Sequence, residues 1–188
     1  IDFSADAGAV LPSNGASLKG TLSFTSSDNF VVEDIISINS NSWTLCFTAC
    51  KNVYIEGVML YGYRTYSDGI MLSDCQDSYV TKCFVRTGDD AMETKSTSAG
   101  SRTLNVTYYD NDCWTDKGIG YGVIWETNND VKNVYFKNCS VGFALSNWHE
   151  RLGALAIQLG DHYYSVTDVY FEDIEVYRCE SNAVINVG

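Results

Sequence analysis

Three acidic side chains stand at the spacing of a folded repeat. Asp89 and Asp90 are adjacent in Arg86-Thr87-Gly88-Asp89-Asp90-Ala91-Met92, and Asp68, in Ser67-Asp68-Gly69-Ile70, precedes them by 21 and 22 residues. Stacked-repeat architectures recur every ~20–50 residues, so a chain coiling at this period carries Asp68 to one rung below the pair. Inverting hydrolysis of a glycosidic bond needs an acid to protonate the leaving oxygen and a carboxylate to activate water, ~6.5–9.5 Å apart. Parallel strands lie ~4.8 Å apart, and lateral displacement between rungs supplies the rest. Two adjacent carboxyls also repel as anions, which favours a proton on one of them. A polar turn between Phe84-Val85 and Ala91-Met92 is the plain structural use of the same residues.

Further groups stand near these acids in sequence and are candidates to bind substrate. Arg64 and Tyr66 precede Asp68; Glu93 and Lys95 follow the pair at alternate positions, which share one face of a strand. They suit a cleft, or equally a solvent-facing ion pair of little energetic weight. Trp125 and Glu126 end the next repeat, and Asn147-Trp148-His149-Glu150-Arg151 offers Trp148, His149 and Arg151. His162 reads as a polar loop residue. No Gly-X-Ser-X-Gly elbow occurs.

The elements that must position these residues are short and β-rich. Phe30–Ile35, Val53–Val58, Ser78–Cys83, Leu104–Tyr109, Val134–Cys139 and Val169–Ile174 form one family of strands. Aligning Val32, Ile55, Val80, Val106, Phe136 and Phe171 as inward residues gives steps of 23, 25, 26, 30 and 35 residues. A second family covers residues 43–47, 70–72, 91–94, 123–125, 155–159 and 183–187, with Gly, Asn, Asp and Ser between the two. No segment of ten or more residues carries a helical apolar stripe. An antiparallel sandwich also yields short strands with regular turns. The recurrence of equivalent residues in constant order favours an all-β, single-stranded right-handed parallel β-helix of about six to seven rungs, its hand set by the preference of parallel crossovers. Residues 1–188 are expected to form one domain, with 1–27 less regular. The last strand ends on apolar residues where stacked repeats carry a polar cap. That predicts a fragment of a longer helix, or an open end covered by missing chain or a partner.

The chain has 24 acidic residues against 12 Lys plus Arg, a net charge of −12. Such a surface repels nucleic acid and anionic membrane, whose binding requires neutralising cations. No apolar run reaches the ~18 residues of a membrane-spanning segment, and the chain starts without Met or a signal segment, as a mature or trimmed protein would. The remaining partner is a polysaccharide or oligosaccharide, and secretion or the cell surface is the expected location. The basic residues Lys82, Arg86, Lys95, Arg102, Lys117 and Arg151 are scattered, which favours a neutral glycan over a polyuronate. Seven cysteines lack zinc-ligand spacing, since Cys46 and Cys50 have neither a second close pair nor a nearby histidine; no metal or cofactor is expected. Asn105-Val106-Thr107 and Asn138-Cys139-Ser140 match the glycosylation sequon, although asparagine in strand turns is at least as often structural.

The Ser-Asp-Gly-Ile segment followed one coil later by Gly-Asp-Asp-Ala resembles the right-handed parallel β-helix glycoside hydrolases, over roughly residues 28 to 187. Two groups fit, the polygalacturonase family and the dextranase/isopullulanase family. The resemblance implies an inverting hydrolase in which Asp89 is the general acid while Asp68 and Asp90 hold the water. Polygalacturonases place Gly-His-Gly one rung further on, where this chain has Gly118-Ile119-Gly120-Tyr121-Gly122, and their Arg-X-Lys motif is absent. With Trp114, Trp125 and Trp148 as stacking surfaces for neutral sugars, the expectation is an endo-acting hydrolase of a neutral, α-linked, dextran-like glucan. A polygalacturonase-like pectin hydrolase is the first alternative, a non-catalytic carbohydrate-binding or cell-surface β-helix segment the second.

Overall fold

The computed structural model describes residues 22–40, 42–124, 126–145, 153–158 and 164–180, and the backbone of 183–186. Strands follow one another in rungs. The first rung is β1 (Leu22–Thr25), β2 (Asp28–Glu33) and β3 (Ile36–Ile38); the second is β4 (Leu45–Thr48), β5 (Lys51–Glu56) and β6 (Met59–Tyr61). The third is β7 (Ile70–Ser73), β8 (Gln76–Thr81) and β9 (Phe84–Thr87); the fourth is β10 (Met92–Lys95), β11 (Thr103–Tyr109) and β12 (Asp112–Thr115). Then come β13 (Tyr121–Val123) with β14 (Val131–Ala144), β15 (Leu155–Gln158) with β16 (Val166–Val176), and β17 (Ala183–Asn186). Each strand pairs in parallel with its counterpart one rung on, and β14 spans the second and third faces of its rung. The fold is the expected right-handed parallel β-helix.

Inward residues stack in columns at the rung spacing of ~4.8 Å. One runs through Leu45, Ile70, Met92 and Tyr121, another through Leu60, Val85, Cys113 and Val141. Aromatic rings stack with them: Phe24 on Phe47 at 4.8 Å, Tyr108 on Phe136 at 5.0 Å, and Phe136 on Phe171 at 4.9 Å. None of the seven cysteines is bonded to another, and six are buried. Thiols here fill space as small hydrophobes.

Two expectations need correction. There are three strand faces rather than two, because β3, β6, β9 and β12, which fall between the two expected strand families, form a face of their own. The residue level with Val80 and Phe136 is Tyr108, while Val106 pairs with Ser78 and Val134. Both Val106 and Tyr108 face inward, so a strand's alternation alone cannot choose between them. Tyr108 is admitted because its hydroxyl donates to the Glu93 carbonyl at 2.8 Å.

The corners are made by left-handed residues. Asn29, Asn52, Asp77, Asn105, Asn133 and Asp168 all have φ between 52° and 58°. Asn and Asp enter this region at less cost than other non-glycine residues, because their side chains bond locally. Here they also bond to one another: the Asn105 amide donates to Asp77 at 2.7 Å and accepts from Asn133 at 3.0 Å. Asn138 donates to Asp110 in the next corner at 3.2 Å. Both sequon asparagines therefore have structural roles.

Candidate active site

Asp68 and Asp90 occupy equivalent places one rung apart, just before β7 and β10. The Gly69 amide donates to the Asp90 carbonyl at 2.8 Å, and Thr44 donates to the Asp68 carbonyl at 2.8 Å. The gap of 22 residues is thus one coil. Glycine at 69 is required by this approach, since a Cβ there would lie 2.3 Å from the Ala91 carbonyl oxygen. Asp89 and Asp90 are held from several sides. Thr87 and Thr115 hydroxyls both donate to the Asp89 carbonyl at 2.6 Å, and the Gly88 amide donates to Ser67 Oγ at 3.0 Å. Asp89 Oδ1 accepts from the Asp90 amide at 3.0 Å, and the Tyr66 amide also bonds this carboxylate. Asp90 Oδ1 accepts from the Ile119 amide at 2.9 Å.

Beyond the triplet, β10 adds two more groups. Glu93 is fully buried and Lys95 is 4% exposed. An oxygen from each of Asp68, Asp90 and Glu93 lies within 4.8 Å of the others. Lys95 Nζ sits 3.1 Å from Glu93 Oε2 and 2.9 Å from Glu126 Oε2, under the Trp43 ring at 5.4 Å. A solvent-facing pair was one expectation for Glu93 and Lys95; their burial excludes it. The spacing of the three carboxylates suits a cation, and the cluster's own cation is this ammonium. Asp68 Oδ1 and both Glu93 oxygens are buried and accept no protein hydrogen bond of good geometry. The chain leaving β10 is pinned by Asp74, whose carboxylate accepts from the Thr97 amide at 2.8 Å and from the Ser96 hydroxyl at 3.1 Å.

Crowded burial governs the protons. Burial, then Glu93 and Asp89, push the Asp68 carboxyl well above its usual range. Burial and the Asp90 charge push Asp89 up to about 7. Burial also raises Asp90, against the pull of Lys95 and the Ile119 amide, and takes Glu93 to about 8. For Lys95 burial acts downward, but Glu93, Asp68, Glu126 and Asp90 together outweigh it and hold the ammonium well above the ordinary lysine value. At mildly acidic pH the site therefore retains protons on Asp89 and among its crowded neighbours, while the Lys95 ammonium draws all four carboxyls back toward the ionised form. A proton held on one carboxyl beside ionised partners is the division of labour that acid/base hydrolysis requires.

Of the other expected binding residues, Tyr66 is exposed and next to Asp89 through its backbone. The Arg64 carbonyl accepts from the Ser67 hydroxyl at 2.6 Å and lies 2.4 Å from where a Gly88 Cβ would be, so Arg64 borders the pair. Glu126 is at the rim, its side chain 60% exposed. Trp125, Trp148, His149 and Arg151 lie outside the described residues. Trp114 lies on β12, stacked on Phe143 at 5.0 Å under the Arg86 guanidinium. Sequence reasoning missed Ser67, Thr87, Thr115 and Trp43 altogether. It also left Lys117 unplaced, although its Nζ meets Thr65 Oγ1 at 3.0 Å beside the site. Only the short distance from the Asp segments could have drawn attention to Ser67 and Thr87; Thr115 lies one rung on, in register with Thr87.

A parallel β-helix that carries its buried carboxylates on adjacent rungs has the layout of a β-helical polysaccharide-processing protein. The chain matches the family model of glycosyl hydrolases family 28 over residues 5–186, and it belongs to that family. It is similar to the polygalacturonase of Nicotiana tabacum, 27% identical over 90% of this chain and 41% of that protein. The polygalacturonase of Gossypium barbadense is 24% identical over 84% of this chain and 37% of its own length. The chain thus spans well under two thirds of these relatives. In fold it is similar to an exopolygalacturonase from Thermotoga maritima, with a TM-score of 0.59 and 18% identity, covering 89% of this chain and 55% of that one. The polygalacturonase from Erwinia carotovora gives a TM-score of 0.59 at 13% identity, over 90% of this chain and 58% of its own.

These relatives overturn the expectation of a neutral, dextran-like substrate. That expectation leaned on the lost Gly-His-Gly histidine, yet the segment keeps its structural part. Gly118 packs where a Cβ would lie 2.5 Å from Asp90 Oδ1, and the Ile119 amide still bonds Asp90. It leaned too on net charge, a property of the whole surface rather than of a cleft.

Proposed function

We propose that this chain carries the catalytic centre of a polygalacturonase-type hydrolase that cleaves α-1,4-galacturonan with inversion. The observation that carries the reading is the family match across the segment that holds Asp68, Asp89 and Asp90. Asp89 protonates the glycosidic oxygen, since it stands outside the tight Asp68–Asp90–Glu93 group, with burial and the Asp90 charge holding its proton up to about 7. Asp68 and Asp90 orient and deprotonate water on the opposite face of the sugar. Arg64, whose carbonyl borders Gly88, and Lys117, whose Nζ bonds Thr65 Oγ1, supply positive charge for the uronate carboxylate. A polymer of this size is met outside the cell, so secretion is part of the proposal.

The test is release of reducing ends from polygalacturonate, compared with dextran and pullulan, with the anomer of the first product read by NMR. Preferential cleavage of polygalacturonate to the inverted anomer is expected. Preferred cleavage of dextran would sink the substrate, and the retained anomer would sink the mechanism. Binding of galacturonan without any turnover would favour a carbohydrate-binding segment instead.

A further inference from the structure

Lys95 is the last residue of β10, and the groups facing it come from every element packed around it. Glu93 stands on its own strand, Asp68 precedes β7, Asp89 and Asp90 precede β10, and Glu126 follows β13. Cys46 on β4 shares the same field, and the Trp43 ring covers the ammonium. Glu93 and Lys95 share the outer side of their strand by alternation, so the pair is held in register by the sheet itself.

Two roles are open to a lysine at this place: gripping a substrate carboxylate, or balancing the carboxylates already there. A uronate-binding lysine needs positive charge to spare and an open approach. Lys95 is 4% exposed, is pinned at 3.1 and 2.9 Å by two glutamates, and is reached past carboxylates that repel a uronate. The second role answers a problem the geometry sets. Oxygens of Asp68, Asp90 and Glu93 within 4.8 Å of one another cannot all ionise without a cation among them.

We propose that Lys95 is a positioning residue of the catalytic centre: pinned by Glu93 and Glu126, it is the fixed counter-charge that lets Asp68 and Asp90 stand as carboxylates around one water. This rests on the hydrolase reading of the aspartates given above. The direction of its influence agrees, since Lys95 pulls all of Asp68, Asp89, Asp90 and Glu93 downward against burial. Glu126, at the rim, acts oppositely on Asp90 and Glu93.

Carboxyl titration by carbon-detected NMR in the wild-type chain, Lys95→Met and Glu126→Gln tests this, with kcat and KM on oligogalacturonides measured across pH. Lys95→Met should raise the Asp68 and Asp90 midpoints by about one unit or more. The acid limb of the rate profile should follow, with kcat down roughly tenfold or more at mildly acidic pH and KM changed less than about twofold. Glu126→Gln should move the Asp90 midpoint the other way, and its exposed site keeps the test alive if Lys95→Met does not fold. Unmoved midpoints would overturn the proposal. So would a raised KM at unchanged kcat and pH profile, which would assign Lys95 to the substrate. The titration needs no turnover, so a wild-type chain inactive on galacturonan would sink the hydrolase reading alone and leave the titration to decide Lys95.

Discussion

Asp89 differs from its two partners in what surrounds it. It takes backbone amides from Asp90 and Tyr66 and stands apart from the tight carboxylate group, while Asp68 keeps a buried oxygen without a protein donor. A group raised to about 7 is protonated through the acidic range and loses its proton as pH rises past that value. In its proposed role as general acid it must carry the proton, so kcat is expected to fall as pH rises through about 7. Asp89→Asn should lower kcat by ~10²–10⁴ on the polymer. An aryl galacturonide with a good leaving group needs little protonation, so the variant should recover much of its rate on that substrate. Asp68→Asn and Asp90→Asn should stay impaired on both, because water must still be activated. Equal losses for all three variants on both substrates would remove the acid role from Asp89.

Among the elements, the corner asparagines carry the most testable energetics. Asn105 holds φ at 56° and bonds both rung neighbours. Asn105→Ala should cost ~1–2 kcal/mol for the left-handed backbone, with a further loss from the ladder bonds. Asn105→Gly restores the backbone freedom and should lose the ladder bonds only. Urea unfolding that ranks the two variants equally would show the ladder, not the backbone, to be the larger effect.

This scale also shows what could be read from the chain itself. The two longer strand families were legible because Val, Ile and Phe alternate with polar residues over four to six positions. The third face was not, since β3 and β6 are three residues each and bury one side chain apiece, Ser37 and Leu60. Tyr108 was hidden by its hydroxyl, which reads as polar until a buried acceptor is known to wait for it. The acids were legible because one coil's length separates them. The burial of Lys95 was not, because its cover comes from Trp43 two rungs below and from Glu126 one rung above, at sequence distances that no local pattern links.

At the scale of the whole molecule, a net charge of −12 would face the polyanionic substrate of the proposed function. Far from the cleft the two repel, and the repulsion reaches as far as the Debye length, ~30 Å at 0.01 M salt and ~8 Å at 0.15 M. On the proposed reading, Arg64 and Lys117 would act on a bound uronate inside the cleft, at distances where screening is weak. Approach and grip should therefore respond differently to salt. Raising NaCl from about 0.01 to about 0.15 M should increase kcat/KM on polygalacturonate by relieving the repulsion. A neutral aryl glycoside should show little change, since no long-range charge steers it. Lys117→Met should leave the salt response of the polymer in place and raise KM at every salt concentration. A kcat/KM that falls with salt in the wild-type chain, and ceases to fall in Lys117→Met, would mean that local attraction outweighs the field of the whole surface.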